Sequence, residues 1–354
     1  MTDLVFAVDG GNVKTDLAIV AADGRLLAFV RGGRSSPHYV GIEGCVTVLE
    51  RLLADAVADA GLDRDQVGAA SAQIMVAGAD LPEELAALRA QIEALGWASR
   101  PVVENDTFAL LRSGTDRGWG VAVVCGGGIN CVGRAPDGRQ ARFLSLGPTT
   151  GDWGGGYDVG IAALMAAARS ADGRGPRTVL ESAVPAYFDL ADPFEVARAL
   201  HLRHMSHERL GELARVVYPA SEDDPAAAAI VARLADEVIA FSTAAMRRLD
   251  LIAEAPDVVL GGGLIRAAPA SAIERIELGV CEAAPSARVL VAPTAPIVGA
   301  ALLGLDEIGV NSAAAARARA ELQAAFTEVE RDGAVATDGR TVAPRVGEGR
   351  RVHG

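Results

Sequence analysis

The stretch VFAVDGGNVKTDLAIVAADGRLLAF, residues 5–29, decides the fold class of this chain. Its apolar runs are separated first by a glycine turn and then by an Asp-Gly-Arg turn, a pattern that predicts three short antiparallel strands. An amphipathic stretch at about 42–60, an apolar run at 69–79, a helix from Pro82 and the run 101–104 follow. This order of strands and helices predicts an α/β unit with a mixed sheet.

The same pattern returns at residues 121–143, VAVVCGGGINCVGRAPDGRQARF. Laid on residues 5–29, the second copy places Cys125 on Asp9 and Asn130 on Lys14. Each copy also closes its hairpin with Asp-Gly-Arg. The sequence therefore predicts two related domains.

The remaining sequence completes the predicted organisation. We expect an N-terminal domain at 1–118 and a C-terminal domain at 119–294 that carries a helical insertion at about 159–250. A return helix at about 295–308 is expected to pack back against the first domain. Residues 311–354 begin as an Ala/Arg/Glu-rich helix and pass into a polar, glycine-rich tail that is predicted to be disordered.

Composition excludes several functional classes. The 354 residues carry a formal net charge of −13, which opposes binding to a nucleic-acid backbone. No apolar run reaches the length of a membrane span, and the acidic start lacks the basic region of a secretory signal. The four cysteines lie far apart or at spacings that match no metal or redox signature. We expect a cytoplasmic protein that binds neither nucleic acid nor membrane.

Three glycine turns, DGGNVK, CGGGIN and LGGGLI, each follow an apolar strand. Backbone N–H groups in such turns can converge on phosphate oxygens, because glycine has no Cβ to block the approach. Any one of them alone could be an ordinary tight turn. Neither a P-loop nor a dinucleotide-binding fingerprint occurs in the chain.

Taken together, the motifs resemble those of sugar kinases and ATPases with the actin, hexokinase and Hsp70 fold. The chain is most similar to the N-acetylglucosamine kinase-like branch of the BadF/BadG/BcrA/BcrD ATPase family. The resemblance rests on DGGNVKTD, VENDTFAL, CGGGIN, SLGPTTGDWGGGYDVG and VVLGGGLI, in this order along residues 5–305. It implies two actin-like (ribonuclease H-like) domains with mixed five-stranded sheets around a central nucleotide and sugar cleft.

The resemblance also implies ATP and Mg²⁺ as cofactors. Lys14, the only lysine in the chain, would place its ammonium near the β and γ phosphates. The expected phosphate-binding residues are Gly10, Gly11, Asn12, Lys14, Thr15, Gly126, Gly127 and Gly128, and the adenosine-binding residues are Gly261, Gly262 and Gly263. Asp9 would hold the metal, although an aspartate here could instead only shape the turn, and Lys14 could be a solvated turn residue.

Asp106 is the expected catalytic residue. It follows the strand at 101–104, and as a general base it would accept the proton of a substrate hydroxyl. Helix N-capping is the alternative role, because an aspartate before a helical stretch is a cap signature, and the two roles can coexist. The expected sugar-binding residues are Ser36, His38, Gly78, Asn105, Asp106, Asn130 and Asp152.

Two positions depart from the family pattern on the sugar side. Pro37 stands near an expected asparagine, and Trp153 stands in place of a glutamate, where it could offer a stacking face. The resemblance implies an ATP-dependent kinase of an amino sugar, N-acetylglucosamine or a close relative, that works as a homodimer. A reductase activase with an iron–sulfur cluster and a regulator without catalysis are the alternatives.

Overall fold

The computed structural model of the chain describes residues 3–63, 71–98 and 101–337. Its first sheet contains the strands Leu4–Gly10 (β1), Lys14–Ala21 (β2), Leu26–Gly33 (β3), Ser71–Val76 (β4) and Val102–Glu104 (β5). Their order is β3-β2-β1-β4-β5. The pairs β1–β2 and β2–β3 are antiparallel, whereas β1–β4 and β4–β5 are parallel. The prediction of a mixed sheet is confirmed.

The second sheet repeats this topology. It contains Gly120–Cys125 (β6), Ile129–Arg134 (β7), Gln140–Arg142 (β8), Asp257–Gly261 (β9) and Arg288–Val291 (β10). The order β8-β7-β6-β9-β10 and the strand directions match those of the first sheet. The short sequence repeat is therefore the visible part of a duplicated five-stranded unit.

The two Asp-Gly-Arg turns share one geometry. Gly24 and Gly138 have φ angles of 83° and 88°, in the left-handed region that glycine adopts without a steric penalty. In each turn the arginine N–H donates to the preceding carboxylate, that of Asp23 or Asp137, at 3.0 Å. The duplication thus extends to individual hydrogen bonds.

Three helices accompany the first sheet. They are Pro37–Asp59 (α1), Pro82–Ala94 (α2) and Thr107–Gly114 (α3). The first two begin with proline, whose missing N–H needs no partner at that position. Gly41, with φ 70°, kinks α1 in its second turn. The strand expected at 69–79 is shorter, at Ser71–Val76, and residues 69 and 70 lie outside the described residues.

A helical segment separates β8 from β9. It comprises Gly156–Ala171 (α4), Leu180–Tyr187 (α5), Pro193–His201 (α6), Ala214–Ala220 (α7) and Pro225–Arg248 (α8), with 3₁₀ turns at Gly147–Thr149 and His207–Leu213. Gly263–Ala267 (α9) and Ala270–Ala283 (α10) lie between β9 and β10. Of the helices in the described ranges, none is both long enough and apolar enough to cross a membrane.

The helix Pro296–Glu307 (α11) joins the two halves of the molecule. It packs on α3 and on β1, and its apolar side chains share one core with residues of both sheets. A Cβ on Gly299 would lie 1.8 Å from the carbonyl oxygen of Ala109, so only glycine fits this crossing. The C-terminal end of the fold therefore completes the N-terminal domain.

The last helix, Ser312–Thr337 (α12), follows directly. Ala318 and Leu322 are fully buried in the core shared with α11, and Glu321 accepts the N–H of Leu26 at 2.8 Å. The helix continues through residues 331–337, which the sequence analysis assigned to a disordered tail. That boundary is corrected, because the helix as described ends at Thr337. Residues 338–354 lie outside the described residues.

Candidate active site

A cleft of about 660 Å³ opens between the two sheets. The carboxyl ends of β1, β4 and β5 form one wall, and the turn between β6 and β7 forms the other, in agreement with the usual place of sites in open α/β sheets. The predicted site residues that line it are Asp9, Gly11, Asn12, Lys14, His38, Gly78, Asn105, Asp106, Gly126, Gly127, Gly128, Asn130 and Gly262.

Six predicted site residues do not line the cleft: Gly10, Thr15, Ser36, Asp152, Gly261 and Gly263. Thr15 is fully buried, and its hydroxyl donates to Ser35 Oγ at 2.8 Å, so it does not face the phosphate side. Asp152 accepts a hydrogen bond from Thr150 on a partly exposed loop. For these two residues the structure gives no contact with the cleft that would support the expected binding role.

Ser36 lies directly behind Gly78. A Cβ on Gly78 would lie 2.4 Å from the Ser36 hydroxyl and 3.0 Å from the His38 ring, and Gly78 has φ 73°. The Ser36 Oγ is buried and has no hydrogen-bond partner among the described residues. A small buried hydroxyl without a partner next to a ligand cleft is a group that a bound ligand or water can satisfy.

The glycine turns stand close to one another across the cleft. Gly11 N–H closes the first turn on the carbonyl of Lys14 at 2.8 Å, and Gly126 N–H closes the second on Gly128 at 2.9 Å. A Cβ on Gly262, which has φ 91°, would meet the carbonyl oxygen of Cys125 at 2.1 Å. The third turn therefore packs against the second only because residue 262 is glycine.

Asp106 stands at the start of α3 but does not cap it. The Oδ1 of the neighbouring Asn105 accepts the Thr107 N–H at 2.9 Å and takes that role. The capping alternative for Asp106 is therefore not what the structure shows. Its carboxylate is left partly open to the cleft.

The surroundings of Asp106 bring the pKa of its carboxyl close to neutral pH. Burial, and then the nearby negative charge of Asp80, raises the pKa of Asp106 to about 7. A carboxylate with such a pKa can take up a proton near physiological pH, which is what a general base has to do.

Asp80 is a site residue that the sequence analysis missed. Its Oδ1 accepts hydrogen bonds from Asn105 Nδ2 and Asn130 Nδ2, both at 2.7 Å. Asn130 Oδ1 in turn accepts from the Ser145 hydroxyl at 2.6 Å. Asp80 thus links the two walls of the cleft. A signal was present, because an acidic residue two positions after Gly78 follows the end of β4.

Burial raises the pKa of Asp80 to about 6, while its electrostatic interaction with His38 and the hydrogen bond from Asn130 favour the ionised form. The negative charge of Asp80 disfavours ionisation of Asp106, and the carboxylate of Glu84 disfavours ionisation of Asp80.

Asp9 lies near the end of β1, at the floor of the cleft. Burial, followed by the charges of Asp16 and Asp106, raises the pKa of Asp9 to about 8. Within the described part of the chain its carboxylate has no hydrogen-bond or ion-pair partner. A carboxylate held in this way fits a divalent cation, which would favour its ionised form.

Lys14 faces the cleft, yet its ammonium already has partners. Nζ lies 2.8 Å from Glu330 Oε1 and 3.4 Å from Asp16 Oδ2. It also stands 4.2 Å from the ring centre of Phe326, which lines the cleft from α12. Nothing in the sequence signalled Phe326 or Glu330, because a surface helix does not reveal what it crosses.

The two departures from the family pattern fall in different places. Pro37 is the first residue of α1, where its ring fits the helix start. Trp153 is only 9 % exposed, packs in the core of the second domain and carries the Arg233 guanidinium 4.2 Å from its ring centre. The suggestion that Trp153 stacks on a sugar is corrected, since its large apolar ring is taken up by the core.

The cysteines do not form a candidate cluster site. Cys125 and Cys131 are fully buried, and burial raises the pKa of both thiols well above its usual range. Iron–sulfur ligation requires thiolates that can reach the cluster. No set of three or more metal-binding side chains occurs among the residues described. The geometry thus gives the activase alternative no support.

Comparisons with known proteins identify the family and the relatives of this chain. A model of the BadF/BadG/BcrA/BcrD ATPase family matches residues 7–304. N-acetylmuramic acid/N-acetylglucosamine kinase of Clostridium acetobutylicum is 32% identical over 60% of this chain and 69% of its own. N-acetyl-D-glucosamine kinase of Dictyostelium discoideum is 25% identical over 86% of this chain and 98% of its own.

Solved structures show the same fold. The crystal structure of a candidate N-acetylglucosamine kinase from Chromobacterium violaceum has a TM-score of 0.67 and 22% identity, and the match covers 86% of this chain and 99% of that one. A hexokinase of the ROK family from Thermus thermophilus has a TM-score of 0.50. From the family match and the curated relatives, the chain belongs to the BadF/BadG/BcrA/BcrD ATPase family.

Proposed function

We propose that the protein is an ATP-dependent kinase that transfers the γ-phosphoryl group to a hydroxyl of an amino sugar, with N-acetylglucosamine as the first candidate. The observation that carries the proposal is Asp106, a carboxylate freed from helix capping, open to the cleft and with a pKa of about 7. The two curated relatives, both sugar kinases by name, support the same reaction.

In this reaction Asp106 would accept the proton of the attacking hydroxyl. Because its pKa is near 7, a large share of the molecules holds the carboxylate form at neutral pH, and that form remains basic enough to be useful. The N–H groups of Gly11 and Gly126 close their own turns, so the N–H groups of Gly127 and Gly128, which line the cleft, would contact the phosphates. Lys14 would add a positive charge beside them.

We propose that Asp9 holds Mg²⁺. The bound metal would neutralise negative charge on the phosphates during the transfer. The support is the buried carboxyl with its pKa of about 8, which makes no hydrogen bond or salt bridge among the described residues, although the charges of Lys14 and Arg31 partly offset its burial. At neutral pH such a group is protonated for much of the time. A cation and a nucleotide binding together would shift it to the ionised form.

On the sugar side, Asp80, Asn105 and Asn130 form the best-ordered polar group. Both asparagine amides donate to Asp80 Oδ1. Asp80 Oδ2 has no hydrogen-bond partner among the residues described, so it is available to accept a sugar hydroxyl. We propose this trio, rather than Asp152, as the part of the cleft that orients the acceptor.

The homodimer, the cytoplasmic location and the absence of nucleic-acid partners stay predictions. The net charge of −13 supports the last of these. Light scattering on the purified full chain would measure the oligomeric state directly.

The test of the function is ADP release from Mg-ATP with a panel of acceptors. The panel contains N-acetylglucosamine, glucosamine, N-acetylmannosamine, N-acetylmuramic acid, glucose and water alone. We expect turnover with at least one amino sugar, a phosphorylated product of the matching mass, and a rate in Asp106→Asn that is lower by about a hundredfold or more. Equal slow ADP release with and without every sugar would overturn the proposal.

A further inference from the structure

The helix α12 lies beyond the part of the chain that the family model matches, which ends at residue 304. Its anchored part contributes Ala318 and Leu322 to the core. Further on, it crosses the mouth of the cleft, where Phe326 forms part of the lining. One turn later Glu330 faces the first glycine turn. An element outside the family match therefore reaches the phosphate side of the cleft.

Glu330 engages two cations with one oxygen atom. Its Oε1 accepts from Lys14 Nζ at 2.8 Å and from Arg31 Nη1 at 2.6 Å. Both cations also make cation–π contacts with Phe326. The Lys14 ammonium lies 4.2 Å and the Arg31 guanidinium 5.0 Å from its ring centre. The hydrogen bond from Lys14 lowers the pKa of Glu330, so this carboxyl is ionised at neutral pH.

The local charges balance without a ligand. Arg31 makes two hydrogen bonds to the carboxylate of Asp16, at 2.5 and 3.0 Å, and Asp16 is fully buried. That pair leaves Lys14 as the less engaged of these two cations, and Glu330 occupies it. The charges of Lys14 and Arg31 are therefore matched by those of Asp16 and Glu330, and a nucleotide phosphate arriving beside Lys14 would find no net positive charge from these four groups.

We propose that Glu330 is an internal competitor for the nucleotide phosphates. Its carboxylate holds the Lys14 ammonium in the free protein, and the end of α12 gives up this ion pair when a nucleotide binds. The inference rests on the proposed function only in assigning Lys14 to the phosphates. Glu330 is an affinity-determining residue, because it acts through Lys14 and not on the reacting atoms.

The structure makes this exchange feasible. The side chain of Glu330 is 50% exposed and that of Lys14 is 36% exposed, so water partly solvates the ion pair and limits its strength. The fully buried anchor Leu322 lies two turns before Glu330. The part of α12 after Phe326, which itself packs on the core, can therefore move without unpacking the core.

The experiment measures nucleotide binding to the full-length protein by calorimetry, in the presence of Mg²⁺. It compares the wild type, Glu330→Gln and the matched control Glu328→Gln. Glu328 is exposed on the same helix and has no ion pair among the described residues. The ligands are ATP, ADP and adenosine, of which only the first two carry phosphates that can compete with Glu330.

We expect Glu330→Gln to bind ATP and ADP about three- to tenfold more tightly than the wild type, which corresponds to about 0.6–1.4 kcal/mol. Adenosine affinity should not change, and Glu328→Gln should behave as the wild type. Equal or weaker ATP binding by Glu330→Gln would overturn the proposal. Tighter binding of adenosine as well would also overturn it, because the effect would not depend on phosphate.

A second measurement needs no nucleotide. Lys14 is the only lysine, so an amine-reactive ester modifies one side chain, and peptide mass spectrometry separates it from the N-terminal amine. Modification of Lys14 should be several times faster in Glu330→Gln than in the wild type or Glu328→Gln. Equal rates in all three would show that Glu330 does not occupy Lys14 in solution.

The outcomes separate this inference from the proposed function. Tighter ATP binding by Glu330→Gln without phosphorylation of any sugar supports the inference and counts against the kinase. Equal ATP binding by both proteins, with sugar phosphorylation intact, overturns the inference and leaves the kinase. No nucleotide binding by either protein overturns both.

Discussion

Neutralising Asp80 tests the most connected side chain of the cleft. In Asp80→Asn the side-chain oxygen can still accept from Asn105 and Asn130, which now donate to a neutral group. Hydrogen bonds to a charged acceptor contribute about 1.5–3 kcal/mol each, against about 1 kcal/mol for neutral pairs. The change should therefore weaken the two bonds by about 2 kcal/mol in total, or roughly thirtyfold in kcat/KM if the trio orients the acceptor.

The same substitution should move the pH profile. Asp106 has to be deprotonated to act as a base, so kcat/KM of the wild type should fall as the pH drops through about 7. The charge of Asp80 contributes to that raised pKa, second to burial. Removing the charge lowers the pKa of Asp106, and the acidic limb should shift to lower pH by up to about one unit.

The assay is steady-state ADP release with the preferred sugar between pH 5.5 and 9. Asp137→Asn, which removes an exposed carboxylate at the turn between β7 and β8, is the matched control. Asp80→Ala adds a comparison in which both amides lose their acceptor. An Asp80→Asn protein with kcat/KM within threefold of the wild type and an unmoved acidic limb would refute the reasoning.

Three further substitutions test separate parts of the structure. Asp106→Asn should reduce kcat by about 10²- to 10⁴-fold while calorimetry shows unchanged ATP binding; retained turnover would exclude the general-base role. Asp9→Asn should stabilise the metal-free protein, by a margin that grows from pH 5 to about 8 and is constant above. The reason is that the native carboxyl, with its pKa near 8, must take up a proton that the unfolded chain has released. Thermal melts in a chelator, with and without added Mg²⁺, would measure this, and a margin that shrinks with rising pH would contradict it. Gly299→Ala should lower the free energy of unfolding by about 2 kcal/mol or more, because its Cβ would lie 1.8 Å from a backbone oxygen, whereas the control Gly33→Ala meets nothing within 4 Å.

The elements that carry local signals were predictable from the sequence. The β-hairpins follow from apolar runs interrupted by Gly10 and Gly11 or by Asp-Gly-Arg, and both the alternation and the turn chemistry act over a few residues. The duplication at 121–143 was visible for the same reason. Once the resemblance was recognised, the glycine turns and Asp106 followed, because they stand at strand ends.

What could not be predicted depends on contacts that are distant in sequence or on the choice between neighbours. Lys14 and Glu330 are 316 positions apart, and nothing in the sequence of α12 indicates that Glu330 contacts Lys14. Asn105 and Asp106 were equally suited to cap α3, and only the backbone geometry decides between them. The role of Asp80 required the position of Asn130 in the other domain.

The return of α11 to the first domain has a consequence for the synthesis of the chain on the ribosome. Val5, Ala7 and Met75 in the first sheet are covered by residues of α11 such as Val298 and Leu302. These covering residues are translated nearly two hundred positions after the domain they complete. At about 5–20 residues per second, the emerging first domain holds this apolar face uncovered for roughly 10–40 s. The first domain therefore cannot complete its folding until α11 has been synthesised. During this interval the nascent protein is most exposed to aggregation and to chaperones.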